Sequence, residues 1–306
     1  MTMIPFAKMV GTGNDFIVVD GRRRQLARLA NAWPVVSRAV CDRRTGIGAD
    51  GLLVLAPSRA AHIRMRVFNP DGSEAQMCGN GARCVALYLS ADAKSRGQVT
   101  IQTKAGVLSA KIRGHRVAMR MTDPTELQLD RPLTVDRGQR RIGFINTGVP
   151  HAVVPVTRLD EVDVERLGRA LRRHRAFSPR GANVDFIQPD ARRKGYLRVR
   201  TYERGVEAET LAYGTGVAAS AVVQTLWQHQ RGRENGGSRR RHGVKVETRS
   251  GDVLDVSFAV EGRGRSVRVT DLVLEGEASL VFRGEIHWPI SKSGHMIPQI
   301  TKRFRR

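Results

Sequence analysis

The sequence predicts an α+β protein built from two similar units, each with short strands around one helix. The first observation is a segment that occurs twice, as EAQMCGNGARC at residues 74–84 and ETLAYGTGVAA at residues 209–219. In each copy a glutamate precedes Cys78 or Tyr213, a Gly-x-Gly follows, and an apolar stretch with helical character comes next. The second observation is that strand patterns lie on both sides of each copy, which favours a sheet around each helix.

Strand patterns fill most of the N-terminal half. The alternation in residues 63–68 indicates a half-buried strand, whereas residues 25–42 have the spacing of a helix. The Gly-x-Gly at residues 11–13 leads into a strand, so it indicates a turn and not a dinucleotide-binding fingerprint, which requires a helix after it. The strands predicted here lie at residues 4–10, 16–19, 52–55, 63–68, 99–103 and 107–112.

The C-terminal half repeats this arrangement. Helices are predicted at residues 162–175 and 216–229, and the polar segment 231–242 is predicted to be an exposed loop. Strands are predicted at residues 142–145, 152–156, 184–187, 197–202, 244–248, 253–258, 267–269 and 280–282. We therefore predict one domain at residues 1–128, joined by 281–290 from the C-terminus, a second at 129–280, and a basic tail at 291–306.

The length and composition agree with two folded domains. The chain has 306 residues, of which 41% are hydrophobic, and domains commonly contain about 100–150 residues. No apolar run approaches the roughly 20 residues of a membrane-spanning helix. Lys8 and Asp15 interrupt the region where a signal peptide would be apolar. We expect a cytoplasmic protein without a membrane partner.

The three cysteines favour one reactive thiol. Cys41, Cys78 and Cys84 have neither the pairing of a disulfide framework nor the spacing of a metal site. We expect Cys41 and Cys84 to be core residues, because free cysteine is among the most buried residue types. Cys78 precedes a predicted helix, where backbone N–H groups and the positive end of the dipole favour anions and stabilise a thiolate.

The formal net charge of +23 raises the possibility of nucleic-acid binding. The basic residues concentrate at 22–24, 172–175, 231–242 and 302–306, in predicted loops, helix faces and the tail. Only 5% of residues are aromatic, and no aromatic platform is interleaved with the basic clusters. This pattern favours a solvated surface that binds nucleic acid only nonspecifically, if at all.

Six motifs in a fixed order carry a family resemblance. They lie at residues 6–16, 46–51, 68–84, 146–151, 183–186 and 202–216. Together they resemble the diaminopimelate epimerase family over roughly residues 4–285. The resemblance implies two pseudo-symmetric domains, each a β-sheet wrapped around a central α-helix, with the active site in the cleft between them. It also implies a cofactor-independent isomerase in lysine and cell-wall biosynthesis, with one cysteine removing the α-proton and a second returning it.

The resemblance assigns site residues by position. Cys78 matches the first catalytic cysteine, and Tyr213 stands where the family has its second. The remaining matches are substrate-binding residues, and no metal site or cofactor is implied. Gly79, Asn80, Gly214 and Thr215 would bind the reacting carboxylate, Asn14, Asn69, Asn183 and Arg204 the distal end, and His151 and Glu203 the α-amino end of LL- or meso-diaminopimelate or a related amino acid. A homodimer is a further expectation.

Tyr213 leaves three interpretations open. A phenol with a pKa near 10 is a fair acid but a poor base, so a two-base epimerase needs that pKa to be lowered. A one-thiol isomerase or dehydratase on a related amino or hydroxy acid needs only Cys78. In the third interpretation Tyr213 fills the site and the protein is a weakly active homologue. A non-enzymatic alternative is a polyanion-binding protein on the same scaffold.

Overall fold

A computed structural model of the chain describes residues 2–90, 97–135, 138–232, 238–262, 266–288 and 299–301. The chain divides into two compact units. Unit 1 comprises Met1–Met119 and Gly276–Arg306, and unit 2 comprises Arg120–Glu275. The sequence placed these boundaries later, at 128/129 and 280/281. The first difference arises because the strand that begins at Thr125 pairs along its length within unit 2.

The described secondary structure contains four α-helices and nineteen strands. The helices are α1 (Trp33–Cys41), α2 (Gly79–Ser90), α3 (Val164–Arg172) and α4 (Gly214–Gly232), with short 3-10 helices at Arg24–Leu29, Leu159–Glu161 and Arg175–Phe177. The strands are β1 (Thr2–Gly11), β2 (Asn14–Asp20), β3 (Gly51–Ala56), β4 (Ile63–Phe68), β5 (Glu74–Ala75), β6 (Gln98–Thr103), β7 (Gly106–Arg113), β8 (Arg116–Arg120), β9 (Thr125–Val135), β10 (Gly138–Asn146), β11 (Pro150–Pro155), β12 (Asn183–Pro189), β13 (Tyr196–Glu203), β14 (Ala208–Thr210), β15 (Arg240–Glu247), β16 (Val253–Glu261), β17 (Arg268–Glu277), β18 (Ser279–Trp288) and β19 (Gln299–Thr301).

Strand pairing in unit 1 follows a defined series. β18 pairs with β1, and β1 pairs with β2, both antiparallel. β2 then runs parallel to β3, β3 is antiparallel to β4, and β4 runs parallel to β6, which is antiparallel to β7. The short β5 pairs with β4 and leads into α2.

Unit 2 repeats the same series of pairings. β9 pairs with β10 and β10 with β11, both antiparallel, and β11 runs parallel to β12. β12 is antiparallel to β13, β13 runs parallel to β15, and β15 is antiparallel to β16. The short β14 pairs with β13 and leads into α4. The duplication seen in the two glycine segments therefore extends to the whole topology of each unit.

Each unit has a core built around its central helix. Ala82, Cys84 and Val85 of α2 are fully buried against strands of unit 1. Val217–Val223 in α4 contributes a similar apolar face to the core of unit 2. Both helices contact strands on several sides, among them β1, β4 and β7 for α2 and β10, β12 and β16 for α4. The predicted α+β fold, with a sheet around each helix, is confirmed.

Several elements differ from the sequence predictions. The segment predicted as one helix at residues 25–42 consists of a 3-10 helix followed by α1, because Pro34 occupies the first turn of α1 and starts it anew. The predicted loop 231–242 is shorter, since α4 continues to Gly232 and β15 begins at Arg240. In the predicted tail, Gln299–Thr301 pairs with β18, and the remainder lies outside the described residues. Among the described helices, none is long and apolar enough to cross a membrane.

Candidate active site

Cys78 lies directly before α2 in unit 1. The backbone N–H of Gly81 donates to the Cys78 sulfur at 3.4 Å, and the N–H of Ala82 donates to the Cys78 carbonyl at 2.9 Å. Cys78 forms no disulfide and is half-buried, whereas Cys41 and Cys84 are buried in the core. Burial raises the pKa of Cys84 to about 12. Of the three thiols, only that of Cys78 therefore combines solvent access with a helix N-terminus that can support a negative charge.

The first turn of α2 has open space beside it. Apart from its two chain neighbours and the backbone of the same helix, a Cβ atom placed on Gly79 would meet no atom within 4 Å. The amides of Gly79 and Asn80 precede the first hydrogen bond of the helix, so the helix supplies no carbonyl partner for them. This part of the chain can therefore bring backbone N–H groups close to an anionic ligand.

Two glutamates of the duplicated segments hold the strands that lead into the helices. Arg66 of β4 binds Glu74 through two hydrogen bonds of 2.9 and 3.1 Å. Arg200 of β13 binds Glu209 in the same way, at 2.7 Å for both bonds. The hydrogen bonds from Arg66, with a further ion pair to Lys104, lower the pKa of Glu74 to about 2. The two glutamates hold β5 and β14 against the neighbouring strands. This structural role explains why a glutamate occurs at the same place in both copies of the segment.

A chain of hydrogen bonds fixes the two amides of the unit 1 site. The Asn14 side chain donates to Asp50 at 2.9 Å and accepts from the Asn80 side chain at 2.6 Å. The Asn80 side-chain oxygen accepts from Arg83 at 2.5 Å, and Arg83 also donates to Thr12 at 2.8 Å. Because a carboxylate only accepts and a guanidinium only donates, each amide has one permitted orientation. Asp50 and Arg83 are therefore site residues to which the sequence assigned no role.

The turn that carries Asn14 is held by charge. Asp15 accepts hydrogen bonds from Lys8 at 2.6 Å and Arg43 at 2.7 Å. Burial alone would raise the pKa of Asp15, but the hydrogen bonds and charges of Arg43 and Lys8 outweigh it and lower that pKa to about 2. The carboxylate stays ionised at neutral pH, so the ion pairs hold the turn between β1 and β2 in place.

Asn69 lies in the turn that follows β4. It is exposed, and its side chain donates to Ser73 at 2.9 Å across a short turn. The structure thus groups Cys78, Gly79, Asn80 and Asn14, and leaves Asn69 in a separate turn.

In unit 2 a buried polar cluster surrounds His151. Its Nδ1 lies 2.7 Å from Asp185 and its Nε2 lies 3.0 Å from the hydroxyl of Thr215. Asp185 also accepts a hydrogen bond from Thr201 at 2.8 Å. Thr147 donates to the Thr215 carbonyl at 2.9 Å, which fixes the first turn of α4 to the same cluster. His151 and Asp185 are fully buried, and these hydrogen bonds offset the free-energy cost of removing the two polar side chains from water.

Gly216 makes room for this cluster. A Cβ atom at position 216 would approach an Asp185 oxygen to 2.3 Å and the His151 ring to 3.3 Å. Any side chain there would displace the carboxylate or the ring. The second Gly-x-Gly is therefore required by the close approach of α4 to β11 and β12.

Tyr213 and Glu203 both have perturbed acidities. Burial raises the pKa of Tyr213 to about 12, with the negative charge of Glu203 adding to the effect and a hydrogen bond to Thr215 opposing it. Burial likewise raises the pKa of Glu203 to about 7. The Tyr213 ring lies 5.6 Å from the His151 ring between centroids. Tyr213 therefore carries its proton at neutral pH, and Glu203 is close to half-protonated.

Asn183 and Arg204 meet at one end of the unit 2 site. The Asn183 side-chain oxygen accepts from the Arg204 backbone N–H at 2.8 Å, and its NH2 group donates to the Pro150 carbonyl at 3.1 Å. Gly214 begins α4, where a Cβ atom would meet Leu274 at 2.9 Å. The structure thus joins Thr215 and His151 by a hydrogen bond and places the Tyr213 ring beside the His151 ring. Asn183 and Arg204 are joined to each other by a separate hydrogen bond.

Asp185 is the central residue of unit 2 that sequence reasoning missed. Its one signal was a carboxylate between the apolar Val184 and Phe186 in a predicted buried strand. A buried carboxylate requires polar partners, so this anomaly could have marked a polar cluster. Among the described residues, no group of three or more His, Cys, Asp or Glu side chains is placed to hold a metal ion.

Comparisons with known proteins agree over nearly the whole chain. The sequence matches the family model described as diaminopimelate epimerase at residues 6–127 and 143–279. The diaminopimelate epimerase of Aquifex aeolicus is 40% identical over 290 residues, covering 92% of this chain and 97% of that protein. That of Gemmatimonas aurantiaca is 40% identical over 286 residues, covering 92% and 98%. A phenazine biosynthesis protein of the PhzF family from Bacillus anthracis shares the fold, with a TM-score of 0.66 and 19% identity over 93% of this chain and 99% of that one.

Proposed function

The chain belongs to the diaminopimelate epimerase family and is an isomerase, and from this premise we propose that it moves the α-proton of LL- or meso-diaminopimelate, or of a related amino acid. In this proposal the enzyme works without a cofactor and serves lysine and cell-wall biosynthesis. Such a role suits the cytoplasm, where a reducing environment keeps a single reactive thiol usable.

The observation that carries the proposal is the Cys78 thiol at the start of α2. It is half-buried, receives a hydrogen bond from Gly81, and adjoins the open space at Gly79. A thiolate in such a position can remove a proton from a carbon atom. The backbone N–H groups of the same helix turn can bind the neighbouring carboxylate and stabilise the charge that develops on it.

Substrate recognition is proposed for the polar residues of both units. Asn80 and Gly79 would bind the reacting carboxylate together with Gly214 and Thr215. The remaining predicted residues provide amides, a guanidinium and an acid/base pair suited to an amino acid with a second charged end. They are Asn14, Asn69, Asn183 and Arg204 for the distal end, and His151 and Glu203 for the α-amino end.

Tyr213 is proposed as the second acid/base residue, in the position where the family has a cysteine. Its protonated phenol can deliver a proton to the carbanion. A one-thiol isomerase or dehydratase remains the second candidate, because the high pKa of Tyr213 disfavours its use as a base. The homodimer also stays a proposal.

The first test follows α-proton exchange by NMR in deuterated water, across amino acids and hydroxy acids with diaminopimelate first. We expect the wild type to incorporate deuterium at the α-carbon, and Cys78→Ala to lose at least about 100-fold of that rate, in line with the contribution of a general base. Cys84→Ala is the matched control, since Cys84 lies in the core and its loss should leave exchange intact. Full exchange by Cys78→Ala would remove the assigned base from the mechanism.

The second test separates the two candidates at Tyr213. We expect Tyr213→Cys to raise the rate of epimerisation, because a thiol accepts a proton near neutral pH more readily than a phenol. The measurement is the rate of appearance of the inverted stereoisomer by chiral chromatography. If Tyr213→Cys lowers an activity present in the wild type, tyrosine has a dedicated role. An elimination product in place of an inverted amino acid would identify the one-thiol enzyme.

A further inference from the structure

The turn between β1 and β2 contains a residue in an unfavourable backbone conformation. Thr12 has a φ of 46°, in the left-handed region that a β-branched residue rarely adopts. Such a conformation costs free energy and persists only where neighbouring contacts hold it. Thr12 is buried, so those contacts lie within the protein. They identify the part of unit 1 that requires this turn.

The contacts that hold Thr12 come from the first two turns of α2. Arg83 Nη2 donates to the Thr12 hydroxyl at 2.8 Å, and the Asn80 side-chain amide donates to the Thr12 carbonyl at 3.2 Å. The same Arg83 nitrogen donates to Asn80 Oδ1 at 2.5 Å. Gly11 allows this close approach, since a Cβ atom there would lie 3.0 Å from both the Asn80 carbonyl and the Cys84 sulfur. One nitrogen atom of Arg83 thus joins the turn to the helix, and we call this set of bonds the Arg83 contact.

The burial of Arg83 indicates that these bonds are the reason for its presence. Its side chain is fully buried, and removal of a guanidinium from water costs free energy that hydrogen bonds must offset. Its neighbours Ala82 and Cys84 fill core positions without that cost. A charged side chain in such a place departs from the usual pattern of a core, and departures of this kind concentrate at functional sites.

We propose that Arg83 is a positioning residue that fixes the first turn of α2 to the β1–β2 turn, and thereby holds Cys78 and the backbone amides of Gly79 and Asn80 in place for proton transfer. The proposal rests on the proposed function. The effect extends to Asn14, whose Oδ1 accepts from the Asn80 side chain at 2.6 Å. Because Arg83 is fully buried, it acts through these residues and does not bind the substrate itself.

The environment of the Cys78 sulfur depends on the turn that Arg83 holds. The Gly81 N–H donates to the sulfur at 3.4 Å, and the Ala82 N–H donates to the Cys78 carbonyl at 2.9 Å. Both donors lie between Asn80 and Arg83 in the chain, so a displaced turn would move them relative to Cys78. An N–H that donates to sulfur favours the thiolate, so loss of the Arg83 contact should leave less thiolate at a given pH.

The first test needs no turnover and follows the alkylation of Cys78 by iodoacetamide from about pH 6 to about pH 9, with mass spectrometry to locate the modified cysteine. Thr12→Val removes a hydroxyl but no charge. We expect it to lower the alkylation rate at about pH 7 by at least about threefold and to shift the pH profile upward, since less thiolate is present. Arg83→Met should lower the rate at least as much. Thr12→Ser keeps the hydroxyl and should remain within about twofold of the wild type.

The matched control is Thr103→Val, which removes another buried hydroxyl of unit 1, one that donates to the Gly106 carbonyl at 2.9 Å. An equal loss of rate in Thr103→Val and Thr12→Val would mean general loosening and would refute the proposal. Slower alkylation in Arg83→Met but not in Thr12→Val would mean that Arg83 acts by its charge, and would refute it as well. If Arg83→Met does not fold, Thr12→Val and Thr12→Ser decide the question.

The second test measures α-proton exchange of diaminopimelate in deuterated water. We expect Thr12→Val and Arg83→Met each to lower the exchange rate by at least about tenfold, because small displacements of reacting groups are costly. The double variant should stay within about twofold of Arg83→Met, since both changes break the same contact. Effects that multiply would refute a shared contact. A wild type without exchange, but with slower alkylation in Thr12→Val, would refute the proposed function and leave the role of Arg83 supported.

Discussion

Burial removes water from around the side chains of Glu203 and Tyr213 and raises the pKa of both, but it affects their charge near neutral pH differently. Burial keeps the proton on both groups to higher pH, with a pKa of about 7 for Glu203 and about 12 for Tyr213. Tyr213 is therefore protonated throughout the physiological range. Glu203 changes its charge within that range, so it is the group through which pH acts on the unit 2 site.

Glu203 makes folding stability fall as pH rises. The folded-state pKa of about 7 lies above the ordinary value of 4.5. Below pH 4.5 the group is protonated in both states, and between pH 4.5 and 7 only the unfolded chain ionises. The resulting loss is on the order of 3 kcal/mol and is complete above pH 7. We expect Glu203→Gln to match the wild type in urea unfolding at pH 4 and to exceed its stability at pH 8.

The control for this prediction is Glu161→Gln. Glu161 lies in a 3-10 helix of the same unit with its side chain 66% exposed, so its replacement should leave the pH dependence of unfolding as in the wild type. Equal slopes for the wild type and Glu203→Gln between pH 4 and 8 would contradict the assigned burial of Glu203.

Residue positions were predictable where a local pattern determines the role. Cys78 was placed at a helix start because the glycine motif and the apolar stretch after it are contiguous in sequence. The partners of Asn14 and His151 were not predictable in this way. Asp50 lies on a neighbouring turn and Asp185 on a parallel strand, so their contacts exist only after β2 meets β3 and β11 meets β12.

At the element scale, the Arg66–Glu74 pair couples β4 to the short strand before α2. The Glu74 side chain is 19% exposed and that of Arg66 is 27% exposed, so the pair is partly shielded from solvent. The hydrogen bonds from Arg66 hold the pKa of Glu74 near 2, below its ordinary 4.5. The stabilisation is therefore present above pH 4.5 and is lost as pH falls through about 2.

This coupling predicts an acid-dependent effect of Glu74→Gln. We expect the variant to lose about 2 kcal/mol of unfolding free energy at pH 7, because a lowered carboxylate pKa is a stabilising contribution and one partner of the pair is removed. The difference from the wild type should shrink to less than half at pH 3, as measured by urea unfolding. Glu209→Gln breaks the equivalent ion pair in unit 2 and tests whether the Arg–Glu pair stabilises the folded state in both units. A difference that stays constant from pH 7 to pH 3 would contradict an ionic contribution.

Elements were predicted well where burial on one face gives a clear periodicity. β4 shows that alternation and was predicted at its observed bounds. β8 and β9 were missed, because β8 is short with arginine at both ends, and β9 contains acidic residues, an arginine and Pro132. The strand conformation of β9 depends on its pairing with β10 and not on an apolar pattern of its own.

At the scale of the whole molecule, a duplicated framework carries two different candidate acid/base residues, Cys78 and Tyr213. The Arg–Glu pairs, the short strands and the central helices occur in both units. Beside this framework, Asp15 of unit 1 forms ion pairs with Lys8 and Arg43, whereas unit 2 contains the buried pair of His151 and Asp185. The two units therefore share a framework but differ in the polar residues that it carries.

The strong positive charge of the chain is also a property of the whole molecule, and the structure shows how part of it is neutralised. Arg239 pairs with Glu261 at 3.2 Å and with Asp271, and Arg241 lies 3.9 Å from Asp271. Residues 302–306 of the basic tail lie outside the described residues. Because Arg239 and Arg241 have acidic neighbours, we expect polyanion binding to be weak and nonspecific.

We therefore expect any complex with duplex DNA to form at about 50 mM salt and to vanish by about 200 mM, as counterion release requires. Asp271→Asn should strengthen that binding, since it removes the carboxylate beside Arg239 and Arg241 while asparagine tolerates the positive φ of 53° at this position. The measurement is a gel shift at stepped salt concentrations, with Arg239→Gln as the matched variant that should weaken binding. The contradicting result comes from a variant in which Arg239, Arg240 and Arg241 are neutralised and residues 302–306 are removed. If its complex with DNA survives about 200 mM salt, the protein has a dedicated nucleic-acid site, and the excess positive charge is not incidental.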